Sequence, residues 1–129
     1  MAKIAAADDD VEIQELVKRV LARAGHDVST HDDGAALVEE ACAHHPDAVV
    51  TDNEMPVMTG LEATKALHDD PDTADIPVVL ASGSLPAAAA AEVLRDGDQV
   101  VPKPFTSAEL TAGVDAALDS TQAADQTPS

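Results

Sequence analysis

Three carboxylates, a hydroxyl and an ammonium each stand directly after a short apolar run of this chain. Asp8 and Asp9 follow Lys3-Ile4-Ala5-Ala6-Ala7, Asp52 follows Ala48-Val49-Val50-Thr51, Ser82 follows Val78-Val79-Leu80-Ala81, and Lys103 follows Val100-Val101-Pro102. Carboxylates brought within a few ångströms raise each other's pKa values, and a hard divalent cation is the usual compensation. Mg²⁺ suits such a set best, with Mn²⁺ as its substitute. It takes oxygen ligands, keeps several waters, and is commonly held by one or two carboxylates together with a phosphoryl oxygen. Lys103 would supply a fixed positive charge for that phosphoryl group. Singly, each residue has a plainer use: Asp8 and Asp10 can cap a helix, Ser82 can turn a strand end, and Lys103 can be a surface charge.

The elements that must position these residues are readable from pattern. Ala48 to Asp52 is a β-favouring run buried on both faces, and Pro56 forbids further pairing beyond it. Lys3 to Ala7 is short and apolar, and is taken as a strand although periodicity alone does not separate it from a helix start. Val11, Ile13, Leu16, Val17, Val20, Leu21 and Ala24 recur at helical spacing, with Asp10 as cap and Gly25 as stop. Asp27 to His31 alternates as a second strand, and a helix follows the Asp32-Asp33-Gly34 turn through Ala35, Leu37, Val38, Ala41 and Cys42. His44-His45 closes it as a solvated polar pair.

Thr59-Gly60 opens a third helix, Ile76 to Ser82 is the fourth strand, and Pro86 with the Ala87 to Ala91 run starts a helix that ends near Arg95 to Gly97. Asp98 to Pro102 is a short fifth strand. Thr106 or Ser107 caps a last helix, with Glu109 reaching back and Leu110, Val114, Ala117 and Leu118 facing inward. Strands alternating with helices predict an α/β, (βα)5, doubly wound parallel sheet of five strands. Its order is 2-1-3-4-5 if the chain reverses once after the second strand. In that topology all the residues named at the outset share one edge of the sheet.

With 129 residues, 45% of them hydrophobic, the chain suits one domain, expected over 1–119, with 120–129 as a disordered tail. Seven Lys plus Arg against 25 Asp plus Glu give a formal net charge of -18, which disfavours direct nucleic-acid or anionic-membrane contact. Metal binding, a salt-rich habitat and solubility are all open readings of that acidity. Phe105 is the one aromatic, so Ala, Val, Leu and Ile must build the core. Cys42 stands alone and is read as packing. No charged-then-apolar leader opens the chain and no run reaches membrane-spanning length, so a soluble protein of the reducing cytoplasm is expected.

From about Lys3 to Leu118 the sequence resembles the receiver domain of two-component response regulators, which have the flavodoxin-like fold. The resemblance is carried by Asp8-Asp9 after strand 1, Asp52 with Met55-Pro56 and Gly60 behind it, Ser82, and Lys103-Pro104. It implies a Mg²⁺-dependent phosphoacceptor, Asp52, that takes its phosphoryl group from a phosphohistidine of a sensor histidine kinase or a histidine phosphotransfer protein. Such a domain catalyses only its own phosphorylation and dephosphorylation. By the same resemblance Asp9 binds the metal directly, Asp8 through water and Glu54 through its backbone carbonyl. Ser82 bonds a phosphoryl oxygen, and the Lys103-Pro104 peptide is cis.

The chain departs from that pattern at Val100, where receivers commonly carry Tyr or Phe as a rotameric switch, and at Thr59, where Asp is frequent. A stand-alone receiver acting on a downstream protein target is expected. The alternatives are a pseudo-receiver binding module and an Asp-nucleophile phosphatase, for which Glu54, two residues after Asp52, would be the acid/base.

Overall fold

The centre of the sheet is assembled from strands too apolar to face water on either side, and its two edge strands are more polar. Residues 2–55, 57–83, 87–95, 97–103 and 105–126 are described by the computed structural model. Strands β1 (Lys3–Ala7), β2 (Asp27–His31), β3 (Ala48–Asp52), β4 (Val78–Ser82) and β5 (Gln99–Pro102) alternate with helices α1 (Val11–Arg23), α2 (Gly34–His44), α3 (Gly60–Asp69), α4 (Ala87–Val93) and α5 (Ser107–Gln126). All pairings are parallel, in the order β2-β1-β3-β4-β5. The flavodoxin-like (βα)5 expectation is met.

The strand period of two sorts neighbouring residues into two cores. Ile4, Ala6, Val50 and Val79 pack with Val17 and Leu21 of α1 and with Leu110, Val114 and Ala117 of α5. Ala5, Ala7, Val49 and Val78 pack with Leu37 and Ala41 of α2 and with Ala63 and Leu67 of α3. Burial on both faces explains why β1, β3 and β4 read as continuous apolar runs, without the alternation of a half-exposed sheet.

Helix starts are set by side-chain acceptors. Asp10 accepts from the Glu12 N–H at 2.9 Å and Asp33 from that of Ala36 at 2.8 Å. Thr59 with Glu62, and Thr106 with Glu109, form reciprocal capping boxes. These caps fix where α1, α2, α3 and α5 leave the edge at which Asp8, Asp52, Ser82 and Lys103 lie.

Several boundaries and burials differ from expectation. β4 begins at Val78, two residues after Ile76, because Pro77 has no N–H for the ladder. α1 ends at Arg23, and β5 begins at Gln99, one residue after Asp98. Val11, placed on the apolar stripe, is 60% exposed. Cys42 is exposed too, since the buried face of α2 runs through Gly34, Leu37 and Ala41 and leaves position 42 off its centre. α5 runs to Gln126, into the stretch expected to be disordered, and no Gly or Pro interrupts it after Gly113 until Pro128. The paired histidines end α2 as read, His45 taking the left-handed cap position at φ 44° with both rings exposed. Pro56, Pro86, Pro104 with its expected cis peptide, and 127–129 of the tail lie outside the described residues.

Val57, in the β3–α3 loop, holds φ 70° and is 83% exposed. A β-branched residue pays a steric cost there that Asn pays to a smaller degree. Val57→Asn is therefore expected to stabilise the fold by about 1 kcal/mol, read by urea unfolding.

Candidate functional site

β1, β3, β4 and the turn after β5 deliver their terminal side chains to one place. Asp8 is 4% exposed, Asp52 and Ser82 are each 5% exposed, and Asp9 faces solvent. Asp8, Asp9 and Asp52 each present a carboxylate oxygen within 4.8 Å of the others. Lys103 Nζ lies 3.1 Å from Asp8 Oδ2 and 3.2 Å from Asp52 Oδ1. Ser82 Oγ donates to Glu54 Oε1 at 3.0 Å. Four of the predicted side chains, Asp8, Asp9, Asp52 and Lys103, thus converge around one point. Ser82 reaches the same region through Glu54, whose side chain entered the sequence reading only as the acid/base of the alternative phosphatase.

The electrostatics follow from burial and crowding. Asp52 is pushed up to about 6, first by burial and then by the charge of Asp8, while Lys103 pulls it back. Burial likewise raises Asp8, against the Asp10 N–H bonded to its Oδ1 at 2.9 Å and against Lys103. For Lys103 burial acts downward, but the hydrogen bond and charge of Asp8 and the charge of Asp52 outweigh it and the ammonium is held above its usual range. Glu54 shows the same contest: burial acts upward, and its interaction with Asp52 and the hydrogen bond from Ser82 bring it below the usual range.

The donor set fits a hard divalent cation. It is all carboxylate oxygen, and Asp52 Oδ1 is buried with no hydrogen-bond partner among the described residues. One ammonium facing two buried carboxylates leaves negative charge uncompensated.

That excess has a measurable sign. Asp52 titrates near 6 in the folded protein and near ~3.9 in an unfolded chain, so between these values the native state holds more protons. Its contribution to stability therefore falls as pH rises through that window. Without divalent metal, Asp52→Asn is expected to be more stable than wild type by about 2 kcal/mol above about pH 7, the difference shrinking toward about pH 4. Thermal unfolding in EDTA across that range checks it, and a destabilised Asn variant at neutral pH would contradict it.

Gln14 is a site residue that sequence reasoning missed. It is buried on α1, and its Nε2 donates to the Asp8 carbonyl at 2.6 Å and to Asp32 Oδ1 at 2.8 Å, tying the acidic strand end to the β2–α2 turn. The signal was available: position 14 lies three and seven residues before Val17 and Leu21, on the same stripe. Asn53 was also missed. Its Oδ1 accepts from the Leu61 N–H at 3.0 Å and its backbone from Gly60, so it folds the loop after Asp52 onto α3.

Val100 is 48% exposed on β5, beside Gln99 and Pro102. No helix of the described residues is long and apolar enough to cross a membrane.

Comparison with known proteins agrees with the geometry. The response regulator receiver domain family matches residues 4–115. The response regulator MprA of Mycobacterium leprae is 34% identical over 120 residues, 93% of this chain and 52% of that protein. The transcriptional regulatory protein PrrA of Mycobacterium tuberculosis is 35% identical over 117 residues, 90% of this chain and 49% of that protein. The chain thus spans about half the length of these curated relatives. Among solved structures, the chemotaxis response regulator CheY4 of Vibrio cholerae superposes with a TM-score of 0.83 at 29% identity, covering 92% of this chain and 99% of that one. With the family match over most of its length and the acidic edge, Lys103 and the β2-β1-β3-β4-β5 sheet all in place, the chain belongs to the response regulator receiver domain family.

Proposed function

We propose that this domain accepts a phosphoryl group on Asp52 from the phosphohistidine of a sensor histidine kinase or histidine phosphotransfer protein, and signals by contact with a downstream protein. The observation that carries this is Asp52 itself: a buried carboxylate, oriented by the end of a central strand, with one oxygen paired to Lys103 and taking no hydrogen bond among the described residues. Asp52 attacks phosphorus, the P–N bond of the donor breaks, and its electron pair leaves with the imidazole, which takes a proton from solvent. The product is an acyl phosphate. Lys103 holds the carboxylate in place and then pairs with the phosphoryl oxygens, and the Ser82 hydroxyl gives them a hydrogen bond. Catalysis on this reading is positioning and electrostatics.

Mg²⁺, or Mn²⁺ in its place, held by Asp8, Asp9, Asp52 and the Glu54 backbone carbonyl, would neutralise charge on the transferring group. A net charge of -18 supports a protein rather than a nucleic acid as the direct target of this domain. Val100, exposed and stiff about its one side-chain torsion, supports a readout centred on the β4–α4 loop and not on a swinging ring.

The test is chemical. With phosphoramidate and Mg²⁺, wild type should gain one hydroxylamine-labile phosphoryl group by intact mass, and Asp52→Asn none. Equal incorporation in the variant would place the modification elsewhere.

A further inference from the structure

We infer that the Glu54 carboxylate is an internal stand-in for the incoming phosphoryl group, and that it must release Ser82 before Asp52 can be modified. The inference rests on Asp52 being the phosphoacceptor. A serine hydroxyl has a single proton to donate, and in the unmodified protein that proton goes to Glu54 Oε1 at 3.0 Å. The Lys103 ammonium, which a phosphoryl would also use, acts on Glu54 through its charge. A carboxylate held by the hydroxyl of the site takes an interaction that a phosphoryl oxygen would take.

The arrangement is reversible. Glu54 belongs to the β3–α3 loop and its residue is exposed, so a change of rotamer carries the carboxylate into water without disturbing the core. Two consequences follow. Every phosphoryl donor competes with a resident anion, which raises the donor concentration needed. Ser82 already faces the pocket before modification, so phosphorylation exchanges one acceptor for another on the same hydroxyl and does not draw it in from elsewhere.

The experiment measures initial rates of phosphoryl incorporation against phosphoramidate concentration at saturating Mg²⁺ for wild type, Glu54→Ala and Glu54→Asp. The Asp variant keeps the charge but falls one methylene short of Ser82. Both variants should lower the half-saturating donor concentration by about tenfold, the worth of one charge-assisted hydrogen bond, with the maximal rate changing less. An unchanged half-saturation in Glu54→Ala overturns the inference, and so does a Glu54→Asp that behaves as wild type, which would leave charge alone as the cause. The backbone amide resonance of Ser82 in metal-free, donor-free protein reads the contact directly. It should shift in both variants, and no shift also overturns the inference. A wild type that never takes up phosphoryl while the Ser82 resonance does shift would sink the phosphoacceptor reading and leave the contact standing.

Discussion

Asp98→Ala is expected to remove about 3 kcal/mol of stability, because it deletes a buried carboxylate that accepts three hydrogen bonds. Asp98 lies just ahead of β5, with 1% of its side chain exposed. Its Oδ1 accepts from the Val78 N–H at 2.8 Å, and its Oδ2 from His68 Nε2 at 2.7 Å and from the Arg95 N–H at 2.9 Å. Arg95 completes the cluster by donating from its guanidinium to the His68 carbonyl at 3.0 Å. One carboxylate thus joins the start of β4, the end of α3 and the segment after α4. Alanine would leave the Val78 and His68 donors buried without acceptors, each costing about 1–3 kcal/mol.

Asp98→Asn should fall between the two. It keeps an oxygen for Val78 but turns an amide donor toward the Arg95 N–H. For a domain of this size a loss of 3 kcal/mol lowers the melting temperature by roughly 10 °C. Urea unfolding with an unchanged slope would assign the loss to the native contact, and a loss under about 1 kcal/mol would mean the cluster is replaced by water.

This cluster marks the limit of what the sequence reveals. The acidic edge was legible because its residues end apolar runs, and a carboxylate or lysine at such a boundary stands out from its neighbours. Asp98 stands at such a boundary as well, at the start of its run, and its partner His68 is 30 residues away. His68 does share the buried stripe of α3 with Gly60, Ala63, Thr64 and Leu67, yet a polar residue inside an apolar stripe declares only that it needs a partner. Gln14 escaped for the same reason. Cys42 erred in the opposite sense, since a short helix with many small residues has no sharp edge to its apolar face. The end of α5 was hidden by its Asp, Ser, Thr and Gln content, which reads as solvated chain even where no residue stops a helix. Glu54 was legible as a residue and not as a contact: spacing placed it beside Asp52, but only the folded loop aims its carboxylate at Ser82.

Gly60→Ala is expected to cost about 3 kcal/mol and to slow the phosphorylation proposed for Asp52 under conditions where the variant is still folded. Gly60 starts α3 and is buried. A Cβ at this position would run into the backbone carbonyl oxygen of Asp52, and would lie 2.9 Å from Asn53 Cα and 2.7 Å from Leu80 Cδ1. Two of these three are main-chain atoms that no rotamer change can move. Leu80 is fully buried in β4 and has little room to yield. The approach is enforced from both sides, because the Gly60 N–H donates to the Asn53 carbonyl at 3.0 Å and the Gly60 carbonyl accepts from Thr64 Oγ1 at 2.7 Å. To admit a methyl group, the first turn of α3 must lift away or the end of β3 must shift. Either movement displaces Asp52, whose oxygen lies 3.2 Å from Lys103 and within metal-sharing distance of Asp8 and Asp9. Displacements of this size are costly for reactions that depend on aligned attack. The paired measurement is urea unfolding together with the rate of phosphoryl incorporation from phosphoramidate and Mg²⁺. A Gly60→Ala protein within about 1 kcal/mol of wild type and phosphorylated at the same rate would show that α3 seats on β3 with room to spare.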